Sequence, residues 1–194
     1  VTSRGIIVII CVLLLGLFSS CGRDYAPKPR GYFRIKFPDK KYQAFKGACP
    51  FRFDYPRYAI IEPDTNVSAR PCWFDVVFPS YNARIHLSYY PISSQKVFNQ
   101  LVEDARTFAF KHTVRATAID ESTISFPDER VYGILYSIEG NSASSVQFFV
   151  TDSTRNYLRG ALYFHEKPRL DSIRPVLDFL KQDINVMIKS MKWH

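Results

Sequence analysis

The side chains able to do chemistry are four cysteines, four histidines and three adjacent pairs of carboxylates. His86, His112, His165 and His194 are widely separated, and none stands at zinc-ligand spacing from another histidine or a cysteine, so no metal ligand is assigned. His86 and His165, the second followed by Glu166, could face one exposed sheet surface, where histidines are ordinarily solvated surface residues. Glu103-Asp104, Asp120-Glu121 and Asp128-Glu129 are chain neighbours, and neighbouring side chains diverge on a helix or a strand. That is the arrangement of turns and solvated faces, not of an acid–base pair. The chain contains no Gly-x-Ser-x-Gly elbow, no Gly-rich phosphate loop and no Gly-x-Gly-x-x-Gly fingerprint. No catalytic residue and no cofactor is assigned, and a hydrolase assembled from residues distant in sequence is the least favoured reading.

The cysteines carry more information. Arg4 is followed by an apolar run from Gly5 to Phe18 and then by Ser19-Ser20-Cys21-Gly22, the layout of a secretory signal peptide over residues 1–20. The run is shorter than the ~18 to 20 residues that cross a bilayer core, which favours a removed segment over a permanent helix. Small residues leading into Cys21 resemble the lipobox of bacterial lipoproteins, with Phe18 standing where a smaller aliphatic residue is usual. The resemblance implies that the Cys21 thiol is acylated and holds the chain to a lipid bilayer; the alternative is ordinary cleavage after Ser20 and a soluble product. Two or more acyl chains hold firmly where one binds marginally. Cys11 leaves with the signal, so Cys49 and Cys72 remain as thiols in a compartment that allows oxidation, and they are expected to form a disulfide. Two buried reduced cysteines are the alternative.

The net charge of +8 is local. Arg23 to Lys46 contain eight basic and two acidic residues, whereas residues 47–194 contain 17 basic and 16 acidic ones. A basic arm beside a lipid anchor can reinforce attachment to anionic head groups or dock on an acidic protein. Nucleic acid is not expected as a partner of an exported chain. No small-molecule ligand is assigned.

The elements that must position these residues follow from periodicity. Residues 21–31, which begin with the lipidated cysteine, form a Pro-rich basic linker with an extended, polyproline-like character. Residues 32–194 are expected to form one globular domain. Tyr32 to Phe37 alternate as an amphipathic strand ended by Pro38. Further strands are read at 51–55, 58–61, 72–78 and 83–90, the last with Ala83, Ile85, Leu87 and Tyr89 on its apolar side. Ser94 caps a helix reaching about His112, with Val97, Phe98, Leu101, Ala105, Phe108 and Ala109 on its buried stripe. Four strands near 118–126, 130–139, 144–151 and 157–164 are joined by hairpin-length links. A last helix opens near Ser172, with Pro175 in its first turn and Ile173, Val176, Leu177, Leu180, Ile184, Met187 and Met191 at helical spacing. The class is α+β, a mainly antiparallel sheet with two longer helices, and the order of elements resembles the Mog1/PsbP-like sandwich. Tyr132, Ile134, Tyr136 and Ile138, with Tyr157 and Tyr163, either pack beneath helices or form a stacking face for sugars or peptides.

Cys21 to Tyr42, with its run Pro-Lys-Pro-Arg-Gly-Tyr-Phe-Arg-Ile, resembles the N-terminal signature of the gliding motility lipoprotein GldD family. Cys49-Pro-Phe-Arg-Phe-Asp-Tyr-Pro56, the Cys72-Trp73 pair and Ile188-Lys-Ser-Met-Lys-Trp193 are similar to the same family. The resemblance implies a noncatalytic structural or adaptor lipoprotein of the envelope, working with other proteins of gliding motility and the associated type IX secretion system. Only Asp24 follows Cys21 closely as an acid, which favours the periplasmic side over the cell surface. Lys28, Arg30, Tyr32 and Arg34 are expected to dock a partner or the membrane, unless 32–37 simply supply an edge strand. A membrane-tethered binding module for cell-wall glycan or peptide is the alternative function.

Overall fold

The computed structural model describes residues 35–111, 115–165 and 170–194. Strong alternation of β-branched and aromatic residues with small polar ones gives one seven-stranded antiparallel sheet. Its strands in chain order are β4 (Ile60–Pro63), β5 (Phe74–Phe78), β6 (Ala83–Pro91), β7 (Ala116–Phe126), β8 (Val131–Gly140), β9 (Ser144–Thr151) and β10 (Asn156–Phe164). Their spatial order is β4-β5-β6-β10-β9-β8-β7, so the last four strands form the expected meander and β10 closes it onto β6. Helix α1 (Gln95–Phe110) crosses over between the two halves, and helix α2 (Leu170–Lys189) follows the meander. Short pairs complete the fold: β1 (Tyr42–Ala44) with β3 (Asp54–Pro56), and β2 (Phe51–Arg52) with β11 (Lys192–Trp193). Ile35–His194 forms one compact unit.

Neighbouring side chains on a strand point to opposite faces, and the two core clusters obey that rule. Phe148, Leu158 and Leu162 join Leu177, Leu180, Ile184 and Met187 of α2 in one cluster. Phe149 and Tyr157 join Ala105 and Ala109 of α1 in the other. The helices therefore cover opposite faces. β9 is buried at every position because it has a helix-side core on both sides. Gly160 is required at its place on the α2 face, since a Cβ there would come within 2.3 Å of the Phe148 ring.

The α+β class, the antiparallel sheet and its two longer helices agree with the sequence reading, and Ser94 caps α1 by accepting the Val97 N–H at 3.3 Å. Several local expectations need correction. Residues 35–37 form no strand: Phe37 turns its ring onto Phe179 of α2, with centroids 4.2 Å apart, and the chain crosses that helix instead of joining a sheet edge. The run 51–55 is broken at Phe53 because its halves pair with different partners. Strand β5 starts at Phe74, after Cys72, whose φ of 64° lies outside the strand region. Phe108 is 40 % exposed instead of buried, since small Ala105 and Ala109 already fill the contact with the sheet. Its ring takes the Arg159 guanidinium at 4.8 Å. Pro175 lies inside α2 and not in its first turn, because the helix begins at Leu170.

The β9–β10 hairpin is set by a single carboxylate. Asp152 Oδ1 accepts the N–H groups of Thr154, Arg155 and Asn156 at 2.8–2.9 Å, and Oδ2 accepts Asn156 Nδ2 at 2.8 Å. Burial by itself would raise the Asp152 pKa, but these donors overcome it and hold the carboxyl at about 2, below the ordinary 3.8. A folded-state pKa below the unfolded one adds stability that is fully present above about pH 4 and fades as pH falls towards 2. Asp152→Ala is therefore expected to cost roughly 2 kcal/mol at neutral pH. In denaturant titrations the gap between variant and parent should shrink between pH 5 and 2; a pH-independent gap would contradict this account of the turn.

Candidate anchor clamp and the polar sheet face

A charged residue on the apolar stripe of a helix needs a partner, because an unpaired buried carboxylate is among the costliest groups in a fold. Asp183 is such a residue. It lies between Leu180 and Ile184 on the covered face of α2 and is 0 % exposed. Its Oδ1 accepts Lys40 Nζ at 2.7 Å and the Tyr42 hydroxyl at 2.9 Å, and its Oδ2 accepts the Tyr58 hydroxyl at 2.5 Å. All three partners lie more than 120 residues before Asp183 in the chain.

Lys40 is held equally completely. Besides Asp183, its ammonium donates to the Phe179 carbonyl at 2.8 Å and to the Tyr58 hydroxyl at 3.1 Å, which uses all three donors. It stands 3.3 Å from the centre of the Phe179 ring. Phe37, Tyr58 and Tyr81 close around that same ring, at centroid distances of 4.2, 5.7 and 5.7 Å. Burial lowers the Lys40 pKa, against the pull of Asp183. Burial first, and then the hydrogen bonds to Asp183, push the Tyr42 and Tyr58 hydroxyls well up, so both stay protonated donors. The result is a clamp: one cation of the basic arm, one carboxylate of the last helix and a ring cage fasten the root of the arm to the domain.

The Cys49–Cys72 disulfide adds a separate covalent tie, with Cα atoms 5.8 Å apart. It links the segment after β1 to the entry of β5. The other sequence-selected residues, Cys21, Lys28, Arg30, Tyr32 and Arg34, lie outside the described residues, as does His112.

The histidines do not converge. His86 is paired in register with Ala161, and His165 follows four residues later, just past the end of β10, so the two are about 13 Å apart along the chain direction. His86 is nevertheless more than a solvated side chain. Its Nδ1 lies 2.8 Å from Asp75 Oδ1, its Nε2 lies 3.9 Å from Asp64 Oδ2, and Trp73 meets it edge-on. Arg84 completes the group with 2.7 Å to Asp75. Burial acts to raise the Asp75 pKa, but the bonds from His86 and Arg84 prevail and lower it. With both ring nitrogens turned to carboxylates, His86 is held in a polar network and is not poised beside a nucleophile. Among the described residues no group of three or more His, Cys, Asp and Glu side chains could hold a metal ion. Glu129, from the Asp128-Glu129 pair, is committed to Lys192 at 2.9 Å.

Of the tyrosine rows, Tyr136 and Tyr157 belong to the α1 core, whereas Tyr132 and Tyr163 are half-buried. Tyr136 and Tyr157 are each 1 % exposed, and the Tyr157 hydroxyl donates to the Leu101 carbonyl at 2.9 Å. These two rings are closed off from any stacking partner. The clamp was missed in the sequence because Asp183 falls between two apolar positions and is passed over when only the apolar stripe is traced. Its spacing of three from Leu180 and four from Met187 was the available signal.

Fold and clamp define an α+β domain carried on a basic N-terminal arm whose root is locked to the final helix. Among the described residues, no helix is long and apolar enough to cross a membrane. The chain belongs to the gliding motility lipoprotein GldD family, whose model matches residues 22–193. It is thus a lipid-anchored protein of the cell envelope. No curated protein matches it. Among solved structures it is similar to the solution structure of cyanobacterial PsbP (CyanoP) from Synechocystis sp. PCC 6803. That similarity has 13 % identity and a TM-score of 0.46, and covers 92 % of this chain and all of the other.

Proposed function

We propose that this protein is a noncatalytic adaptor of gliding motility and the associated type IX secretion machinery, acylated at Cys21 and facing the periplasm. The observation that carries the proposal is the Lys40–Asp183 clamp. A tether that ended in a loose linker would leave the domain free to wander, whereas a root held by an ion pair, two tyrosine hydroxyls and a ring cage fixes where the arm leaves the domain. The fourteen steps from Cys21 to Ile35 can span at most about 50 Å, so the domain works close to its membrane.

In this reading Lys28, Arg30, Tyr32 and Arg34 form the docking arm, combining charge, an aromatic anchor and a stiff proline spacer. Lys40 is fully engaged within the domain and is therefore not counted among the docking cations. Replacing Arg30 and Arg34 together by glutamate is expected to impair gliding at least about tenfold while the purified domain keeps its unfolding midpoint. Unchanged motility and partner recovery in that variant would remove docking from the arm.

A further inference from the structure

The sheet has two edges, and they differ. β4 offers four residues and ends at Pro63, which lacks an N–H. β7 offers eleven, and among the described residues β8 is its sole neighbour in the sheet. In an antiparallel ladder alternate residues turn their N–H and C=O outward, so β7 presents a row of backbone donors and acceptors open to another strand. Along its α1 side runs a cleft of about 490 Å³ whose walls include Phe98, Val102, Thr123, Tyr132, Ile134 and Phe149. Strand edge and apolar trough lie side by side, which is the combination that binds an extended peptide: main-chain bonds along the edge and alternate side chains in the trough.

Charge selects the occupant. Glu103 lines the cleft, and Glu121, the cross-strand partner of Tyr136, projects on the same sheet face; Asp120 projects on the other. Arg106, one turn along α1, is engaged over the Phe110 ring at 5.0 Å. A second copy of this chain is disfavoured in the two-fold registers centred at Glu121 or Asp120, which set acid directly against acid. We propose that β7 and the α1 cleft receive an extended strand of a partner protein, with alternate apolar side chains and a lysine or arginine near its middle. The inference deepens the adaptor reading by giving it a second contact surface. It is tested by peptide binding, which can fail while arm docking stands.

The test uses the full chain in detergent and fluorescent nine-residue peptides that alternate valine with threonine and carry lysine or glutamate at the centre. Expected are binding of the lysine set at least about tenfold tighter than the glutamate set, and a reversal of that preference in Glu121→Lys. Backbone N-methylation along one peptide edge should weaken binding at least about tenfold, and along the opposite edge should leave it unchanged. Ser122→Pro should abolish binding, with Glu121→Lys as the variant that keeps the strand intact. No binding by either set, equal sensitivity to methylation on both edges, or self-association of the chain through β7 would each overturn the proposal.

Discussion

Lys40→Met is expected to destabilise the domain by roughly 3 kcal/mol, and Asp183→Leu by less, although both break the same ion pair. The asymmetry follows from burial. Removing the lysine leaves a fully buried carboxylate with only two hydroxyl donors, whereas removing the aspartate leaves an ammonium that is 22 % exposed and can swing into water. The double variant Lys40→Met with Asp183→Leu should recover much of the loss, since no charge is then stranded. Denaturant unfolding of the four proteins measures all three terms. Equal losses in the single variants, or additive losses in the double, would mean that the pair is not the element holding the arm root. The functional consequence is separable: the double variant should be folded and anchored yet glide poorly, because an apolar pair restores stability without directional bonds to Tyr42 and Tyr58.

Loss of the Cys49–Cys72 bond should lower stability by about 3 kcal/mol, the chain-entropy value for a loop closed over a separation of 23 residues. The bond ties the segment leading into β2 to the start of β5, around the stacked rings of Phe45, Phe51, Phe53 and Phe74. Trp73 follows Cys72 directly, and its indole N–H donates to the Tyr89 carbonyl at 2.9 Å, so its fluorescence reports on this region. Reductant, or serine at both positions, should shift the unfolding midpoint down, and the Trp73 signal should change with it. An identical midpoint under reducing and oxidising conditions would show that the ring cluster holds the region alone.

The clamp and the disulfide are unequally legible in the sequence. The disulfide follows from elimination among four cysteines, so it was available at once. The sheet was readable wherever one face is polar: Ala83 to Tyr90 alternate because the chain there has a wet side and a dry side. Helix boundaries at Ser94 were marked by capping chemistry. Reading failed where tertiary partners decide. Phe37 looks like a strand residue, yet its ring is worth more against Phe179 than in a pleat that Pro38 would end. Phe108 matches the helical stripe, but only small residues fit where α1 meets the sheet. Asp183 looks like a solvated helix residue until Lys40, 143 positions away, is brought to it. A pairing that distant leaves no local pattern, and the same holds for His86, which is given its carboxylates by the β5–β6 register and the loop after β4.

The most direct measurement is photocrosslinking in living cells from a reactive residue placed at Tyr32, in the parent chain and in the variant with Arg30 and Arg34 reversed to glutamate. The account predicts specific crosslinks to envelope proteins of the gliding and secretion machinery in the parent, and their loss in the reversed arm. Crosslinks confined to lipid or to the protein's own domain would contradict it.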